Sequence, residues 1–410
     1  MNLIVGLDIG TTKVCCVAAR WNAHHALEVI AHGSSPCKGL RQGQVVDLEE
    51  TTSAIQKAVQ EAQQKADVEI THAFVGVTGA HIESIPRRAE ITITRPDREV
   101  TAEDLERLKF QLQQVMLSPD RELLHVVIRQ YILDGQPHVL NPLGMSARHV
   151  EAEGVLITGG LTFLQNIRRC VERAGLTPQA LVLEPLASGL AVLSEEEREV
   201  GVALIDIGGG TSDVAIFHEA ALAYSSIVPL GGQSVSRDIY LLFRVVSPEE
   251  AERLKIAHGC AYSPYVPEEE RVSYREISTQ QERRIPRRLL AEVIEERMKE
   301  LLNLAKAEMM DSGLYDKLAA GVVLTGGGAC LPCTAELGRQ IFDPLPVRLG
   351  TPQPAIAGLS QELLQPAYAT AIGLVLYGAQ NTPPAMAHES LLNLWQRIMQ
   401  KARRIFRRHS

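Results

Sequence analysis

Residues 202–217, VALIDIGGGTSDVAIF, contain an apolar run, an aspartate, a glycine-rich turn and a second apolar run. Residues 3–19, LIVGLDIGTTKVCCVAA, repeat this order near the start of the chain. β-Branched runs on either side of a glycine-bearing turn predict a hairpin at each place. The shared Asp-Ile-Gly core recurs about 198 residues later, which indicates a duplication of whole domains rather than a short repeat.

Both turns carry residues that suit phosphate groups. Glycines let backbone N–H groups approach an anion, and threonine hydroxyls add donors. Asp8 and Asp206, at the strand ends, can hold the water shell of a Mg²⁺ ion, which takes few protein carboxylates. Lys13 is open to two interpretations, a phosphate ligand or a strand-surface lysine. The predicted phosphate-binding residues are Gly10, Thr11, Thr12, Lys13, Gly208, Gly209, Gly210 and Thr211.

A third glycine run, Gly326, Gly327 and Gly328, follows an apolar strand in GVVLTGGGA, residues 321–329. Before it lies a helical segment, PEEAERLKIAHG, residues 248–259. Glu252 and Lys255 are three apart on one helix face, so they are candidates for a ribose hydroxyl and a purine. An ordinary ion pair on a solvated helix is the alternative. The chain has neither a P-loop nor a Rossmann fingerprint.

Composition and charge exclude several classes of protein. A chain of 410 residues exceeds one ordinary core, so two or more domains are expected. No secretory signal and no uninterrupted apolar stretch of membrane-spanning length is visible. The seven scattered cysteines are typical of reduced thiols in a cytoplasm. Cys330 and Cys333 form a CxxC without the second pair that structural zinc requires.

The last twenty residues, 391–410, contrast with the acidic remainder of the chain. The net charge is −8, yet six Lys or Arg and no carboxylate side chain lie in this segment. At 100° per residue its apolar side chains occupy one arc of about 160°, and the basic ones lie opposite. After a linker at 381–390, this pattern predicts an amphipathic helix on anionic membrane lipid. The predicted membrane-binding residues are Trp395, Arg397, Ile398, Lys401, Arg404, Ile405, Phe406 and Arg407.

A protein groove and nucleic acid remain the alternative targets of this helix. We expect no nucleic-acid partner, because a continuous apolar face has no use on a nucleic-acid arm. The acidic body of the chain also repels nucleic acid.

Taken together, the motifs resemble those of the actin, sugar-kinase and DnaK-type ATPase superfamily. DIGTT is similar to its first phosphate motif, DIGGGTSD to its second and VLTGGGA to its adenosine motif. Residues 182–193 and 366–379 resemble its two connecting helices. The resemblance implies an α/β fold of two duplicated ribonuclease H-like domains, which hinge about these helices and close on ATP and Mg²⁺.

Within the superfamily the chain resembles the FtsA family of bacterial cell division proteins. Four segments are similar to that family, namely residues 39–59, 75–84, 134–151 and 290–309. The third, 134–151, resembles the inserted subdomain that distinguishes FtsA from actin. The resemblance implies subdomain 1A at 1–83 with 161–195 and 361–380, 1C at 84–160, 2A at 196–235 with 306–360, and 2B at 236–305.

The family likeness also implies a function and partners. We expect an ATP-binding protein that self-associates as an actin-like filament on the cytoplasmic face of the inner membrane at the division site. It would tether the FtsZ ring through the C-terminal peptide of FtsZ and recruit later septation proteins. Arg297 matches a basic position for that acidic peptide, and Arg283, Arg284, Arg287 or Arg288 is a candidate for a second. An i,i+3 pair with Glu300 is the alternative for Arg297.

Glu184 matches the position where DnaK-type ATPases place a carboxylate near Mg²⁺ and the attacking water. It is the one catalytic candidate, and at most a weak ATPase is expected. A glutamate that caps the following helix before Pro185 is the alternative. Other functions on this fold are a scaffold of pilus assembly or plasmid segregation, or a small-molecule kinase.

Two local predictions concern the insertions. Thr101 and Asp104 predict the capped start of a helix in 1C. Residues 266–288 are dense in charge and predict an exposed arm or loop rather than a packed element.

Overall fold

A computed structural model of the protein describes residues 3–353 and 356–382. The first part of the chain forms a β-meander, a helix and a further strand. Its first two strands are antiparallel, which confirms the first predicted hairpin. The elements are β1 (Leu3–Ile9), β2 (Lys13–Trp21), β3 (Leu27–Pro36), β4 (Leu40–Arg41), β5 (Gln44–Val45), α1 (Leu48–Ala66) and β6 (His72–Val77).

An inserted subdomain follows, with its own antiparallel sheet in the order β7-β10-β8-β9. Its helix begins with a capping box, in which Thr101 and Asp104 each bond the backbone of the other, as predicted. Buried apolar side chains between helix and sheet give the insertion a core of its own. The elements are β7 (Ile82–Thr92), α2 (Ala102–Gln113), β8 (Arg121–Leu133), β9 (Gln136–Val139) and β10 (His149–Gly160).

The chain then returns to complete the first sheet, in the order β11-β6-β1-β2-β3. β1, β2 and β3 pair antiparallel, whereas β1, β6 and β11 pair parallel. The elements are α3 (Leu161–Arg173), β11 (Thr177–Leu183) and α4 (Glu184–Val192).

The second half repeats this arrangement with the strand order β14-β13-β12-β17-β18. Again three strands are antiparallel and two more are added in parallel, which confirms the predicted duplication. The elements are α5 (Glu195–Val200), β12 (Val202–Ile207), β13 (Ser212–His218), β14 (Ala221–Val228), α6 (Gly232–Phe243), α7 (Pro248–His258), β15 (Arg271–Arg275), β16 (Glu282–Pro286), α8 (Arg287–Asp311), β17 (Val322–Thr325), α9 (Thr334–Phe342), β18 (Val347–Leu349) and α10 (Ala369–Asn381).

Helices α4 and α10 pack against each other between the two sheets, at the positions of the predicted connecting helices. Gly373 permits this close approach, since a Cβ there would lie 1.8 Å from the carbonyl oxygen of Ala187. The buried side chains around the pair belong to both halves of the molecule. The two sheets are therefore joined through one apolar core.

The prediction of an exposed arm at 266–288 is wrong in part. β15 and β16 form an antiparallel hairpin there, and Val272 and Tyr274 are buried. The alternation of apolar and polar residues covers only five residues of β15 and was not recognised among the surrounding charged residues. The predicted ends of 2B at 236 and 305 fall inside α6 and α8, and the subdomain division stays a prediction.

None of the helices among the described residues is long and apolar enough to cross a membrane. The predicted helix at 391–410, and all but the first two residues of the predicted linker at 381–390, lie outside the described residues.

Candidate functional site

The two glycine turns meet across a single cleft between the halves. A Cβ added at Gly209 would lie 2.5 Å from Cγ2 of Thr12, and one at Gly210 would lie 2.8 Å from Oγ1 of Thr11. A side chain at either glycine would therefore collide with the facing threonine of the other half. Both turns are built alike, because the N–H of Gly10 donates to the carbonyl of Lys13 at 3.0 Å and the N–H of Gly208 to that of Thr211 at 2.9 Å.

Two adjoining chambers open between the turns, one of about 250 Å³ and one of about 90 Å³. Thr12, Lys13, Gly208, Gly209 and Gly327 line both. Among the predicted residues, the larger chamber adds Glu252, Lys255 and Gly328, and the smaller adds Asp8, Gly10, Thr11, Glu184, Asp206 and Gly326. Gly210 and Thr211 line neither, although they belong to the second turn.

Buried carboxylates surround the smaller chamber. Asp206 accepts hydrogen bonds from the hydroxyls of Ser188 at 2.6 Å and Thr370 at 3.2 Å. Asp213 accepts one from the Thr78 hydroxyl at 2.5 Å, which joins the two halves. Burial raises the pKa of all these carboxyls, and the pKa of Asp8 and of Asp213 rises to about 7.

These residues fit a hydrated magnesium ion. The donors are carboxylate and hydroxyl oxygens, the ligands that Mg²⁺ prefers. Within residues 3–353 and 356–382, no three His, Cys, Asp or Glu side chains are placed to ligate a metal directly. Contact through bound waters, as predicted for Asp8 and Asp206, is the mode that this arrangement allows.

Glu184 is the first residue of α4 and lines the smaller chamber. The alternative that it caps this helix is wrong, since the N-cap residue is Leu183 and no side-chain cap bond is made. Its carboxylate lies against Gly76, where a Cβ would come within 3.2 Å of Oε1. Burial and then the charges of Asp8, Asp213 and Asp206 hold its pKa well above the usual range.

Glu252 and Lys255 pair with each other and also face the larger chamber. Lys255 Nζ lies 2.8 Å from Glu252 Oε2 and donates to the carbonyl of Gly232 at 2.9 Å. The hydroxyl of Ser236 also donates to Glu252. The ion pair of the alternative interpretation is present, although Lys255 faces the chamber, and a role toward ribose or purine stays a prediction.

Lys13 stands where the two chambers meet, so it is not an outward-facing lysine. Its ammonium lies 3.7 Å from the centroid of the Tyr368 ring. Tyr368 is buried, and its hydroxyl donates to Glu362 at 2.5 Å. Among the described residues no carboxylate lies within ion-pair distance of this ammonium, so its N–H groups are free to meet an anion.

Comparison with known proteins places this geometry in a family. The family model described as "Cell division protein FtsA" matches residues 203–373, and "SHS2 domain inserted in FTSA" matches residues 79–158. Cell division protein FtsA of Pseudomonas aeruginosa is 40% identical over 386 residues, which is 94% of this chain and 91% of that protein. The chain belongs to the FtsA family. FtsA of Escherichia coli K12 is 36% identical over 93% of this chain and 91% of its own, and FtsA of Bacillus subtilis is 35% identical over 93% and 84%.

Solved structures agree with the expected fold. A PilM–PilN type IV pilus biogenesis complex aligns with a TM-score of 0.64 at 17% identity, over 92% of this chain and 98% of that one. MreB5 of Spiroplasma citri bound to ADP aligns with 0.53 at 15% identity, over 93% and 95%. At such identities the likeness shows the fold alone. The two-domain actin-like fold with its inserted subdomain is therefore confirmed, and the chain is a cell division protein.

Arg297, the candidate for binding the FtsZ peptide, lies in a groove of about 740 Å³ between α6 and α8. It binds Asp238 with two nitrogens, at 2.6 and 3.0 Å, and also makes the Glu300 pair at 2.6 Å. The groove is lined by Asp238, Leu241, Leu242, Leu289, Glu292, Val293, Glu296, Arg297 and Glu300. Arg283 does not line it and pairs with Glu276 at 2.7 Å on the β15–β16 hairpin.

Sequence reasoning missed several residues of the cleft, of which Asp213 is the most informative. Asp213 stands directly opposite Asp206 in the β12–β13 register. Counting pairs outward from the glycine turn would have found it. Thr78, Ser188 and Thr370 carry no local signal, because they come from other parts of the chain.

Proposed function

We propose that this protein binds ATP with Mg²⁺ between its two halves and that the nucleotide-bound protein self-associates on the cytoplasmic face of the inner membrane. There it tethers the FtsZ ring at the division site and recruits later septation proteins. The single observation that carries this proposal is the face-to-face contact of two matched glycine turns beside joined chambers.

The two chambers suit the two ends of the nucleotide. Apolar side chains of Ile256, Leu331 and Met298 in the larger chamber favour the adenine, with Glu252 and Lys255 toward the ribose. The glycine turns suit the phosphates through backbone N–H groups. Mg²⁺ bound with the nucleotide would neutralise phosphate charge, and Asp8 and Asp206, which line the smaller chamber, would hold its waters.

The protonation state of Glu184 is consistent with, at most, slow hydrolysis of ATP. A general base must be ionised, and burial beside three other carboxylates favours the protonated form of Glu184. The approach of a cation lowers that pKa, so any base function depends on the loaded cleft. We infer that the nucleotide acts mainly as a ligand that closes the hinge and favours assembly.

For the FtsZ C-terminal peptide we propose the groove between α6 and α8. Leu241, Leu242 and Leu289 are exposed there, with 57%, 66% and 41% of their surface accessible. The rim carries carboxylates of Asp238, Glu292, Glu296 and Glu300 as well as Arg297. Charge attraction for an acidic peptide is therefore weaker than the sequence implied, and apolar contact with the leucines is expected to supply most of the affinity.

Thermal unfolding with ATP and Mg²⁺ tests the central proposal. A ligand at one hundred times its Kd stabilises a protein by about 2.7 kcal/mol, so the wild type should melt at a higher temperature when nucleotide is added. Gly209→Ala should lose this shift, because the new Cβ meets Thr12 Cγ2 at 2.5 Å.

The matched control removes the colliding methyl group. In the double variant Gly209→Ala with Thr12→Ser, the hydroxyl stays and the nucleotide shift should return in part. A wild type whose melting temperature does not respond to millimolar ATP and Mg²⁺ would end the proposal.

A further inference from the structure

The turn between β13 and β14 holds two non-glycine residues in the left-handed region. His218 pairs with Ala221, so Glu219 and Ala220 form a two-residue turn with φ values of 56° and 62°. Such turns ordinarily use Asn or Gly, which adopt positive φ with less strain. Helix α5 supports the strained turn, since the N–H groups of Glu219 and Ala220 donate to carbonyls of that helix at 3.1 Å. The presence of glutamate at this place indicates a use for its carboxylate.

The carboxylate of Glu219 contacts the inserted subdomain. Its oxygens lie 3.6 Å from Arg129 Nη2 and 3.1 Å from His138 Nδ1. We name these three residues the Glu219 latch. His218 Nδ1 lies 3.9 Å away on the same side of the second half. Among the residues that the structure describes, Nε of Arg129 and Nδ1 of His218 are buried without a hydrogen-bond partner, and Glu219 is a carboxylate within ion-pair distance of both side chains.

A bulge aims Arg129 at the latch. Gln130 pairs with Glu153 and Ile128 pairs with Gly154, which leaves Arg129 as the extra residue of β8. Gln130 also accepts the N–H of His138 at 2.9 Å, which fixes the second partner of Glu219. The strand β14 packs on β7 and β8 beside the latch.

Strand β8, which carries Arg129, also contacts the connecting helices through His125. The Nε2 atom of His125 accepts a hydrogen bond at 3.0 Å from the N–H of Leu183, the N-cap of α4. Burial lowers the pKa of His125 to about 4, so the ring is neutral and can accept this bond. The ring also meets Tyr377 of α10 edge-on at 5.9 Å.

We propose that β8 couples the inserted subdomain to the cleft, with the Glu219 latch holding it to the second half and His125 holding it to the start of α4. The two contacts are four residues apart, about 13 Å along an extended strand. A rotation of the second half about the connecting helices therefore moves β8, and the whole insertion follows. The response to nucleotide rests on the proposed function above, whereas the latch itself does not.

Hydrogen exchange of the full chain, with and without ATP and Mg²⁺, tests the coupling. In the wild type, nucleotide should slow exchange both in the first glycine turn and in residues 125–139. Glu219→Asn removes the charge and leaves a residue that tolerates positive φ, so the turn should keep its fold. Without nucleotide, exchange at 125–139 should then be about 1.5- to fivefold faster, the range that an ion pair near the protein surface supplies. In this variant, nucleotide should still slow exchange in the first glycine turn but should no longer slow it in residues 125–139.

Two further variants separate the latch from general loosening. Glu151→Gln breaks a pair with Arg88 inside the insertion sheet and should exchange like the wild type at the junction. Arg129→Gln should reproduce Glu219→Asn, and the double variant should be no worse than either single one. Wild-type exchange at 125–139 in Glu219→Asn would overturn the latch. If the wild-type glycine turn does not respond to nucleotide, the proposed function fails, and the nucleotide-free exchange rates still decide the latch.

Discussion

At the residue scale, the contact between Lys13 and Tyr368 leads to a test of phosphate recognition. The ring holds the ammonium at 3.7 Å from its centroid, beside both chambers. A cation–π contact contributes about 0.5–2 kcal/mol, so Tyr368→Leu should weaken ATP binding by about two- to thirtyfold. Tyr368→Phe keeps the ring and should bind nearly as the wild type does. Titration calorimetry measures both.

AMP, which carries one phosphate where ATP carries three, provides the control for this prediction. A ring that positions Lys13 toward the phosphates should matter more for ATP than for AMP. An equal loss of affinity for both nucleotides in Tyr368→Leu would show that the ring only supports the pocket wall.

Asp213 gives a prediction about pH. Burial, and then the charges of Asp206 and Asp8, raise its pKa to about 7, against the lowering effect of the Thr78 hydrogen bond. The folded state therefore holds a proton that the unfolded chain releases near pH 4. The empty protein should lose stability as the pH rises through 7, because the carboxyl must then ionise in a buried site. Asp213→Asn should lessen this loss but not abolish it, since Asp8 titrates in the same range.

Melting temperatures between pH 5.5 and 8.5, measured without nucleotide or divalent cations, check this sign. Equal slopes of melting temperature against pH for the wild type and Asp213→Asn would contradict it.

Asp213 also shows the limit of sequence reasoning. Asp8 and Asp206 could be predicted because each lies two residues before the first glycine of a turn. Counting strand pairs from the glycine turn places Asp213 opposite Asp206, but its raised pKa depends on residues from both halves, which the sequence alone does not bring together.

At the element scale, local rules predict the starts of elements better than their packing. The capping box at Thr101 and Asp104 depends on four consecutive residues and is present. The hairpin of β15 and β16 was not predicted, since only Val272 and Tyr274 show the alternation and six Arg or Glu residues surround them in 266–276. Burial under a neighbouring helix, which sequence does not reveal, makes this segment a packed element.

The groove between α6 and α8 gives the prediction that belongs to this scale. Leu242→Ser should weaken binding of the FtsZ C-terminal peptide about tenfold or more, since burying a leucine contributes about 1.5–3 kcal/mol. Arg297→Ala should also weaken it, because it removes the groove's cation and leaves Asp238 without its partner. Fluorescence anisotropy with a labelled peptide measures both.

Arg283→Ala is the matched control, since this arginine pairs with Glu276 away from the groove. A peptide whose affinity depends on Arg283 and not on Leu242 would move the binding site to the β15–β16 hairpin.

At the scale of the whole molecule, the duplication could be predicted and the contacts between the halves could not. Two matching turns predict two matching sheets, and the strand orders agree. Contacts such as Lys38 with Glu249 at 3.1 Å, or Gln42 with the carbonyl of Pro229 at 3.0 Å, join residues about two hundred positions apart. No sequence periodicity or motif predicts these contacts between the halves. The same holds for the Glu219 latch, so the route from the cleft to the insertion required the structure.

The basic segment at 391–410 carries the last prediction, which rests on sequence because these residues lie outside the described ones. Each Lys or Arg near an anionic surface contributes about 1 kcal/mol, so six contribute at most about 6 kcal/mol before screening. The intact protein should float with anionic vesicles, more firmly once assembled with ATP, since later contacts in a polymer are intramolecular. A chain truncated after residue 390 should stay at the bottom of the gradient. Ile398→Asp, which keeps every basic residue, should float poorly because a membrane helix needs its apolar face. If the truncated chain floats as well as the intact one, the membrane is held by another part of the molecule.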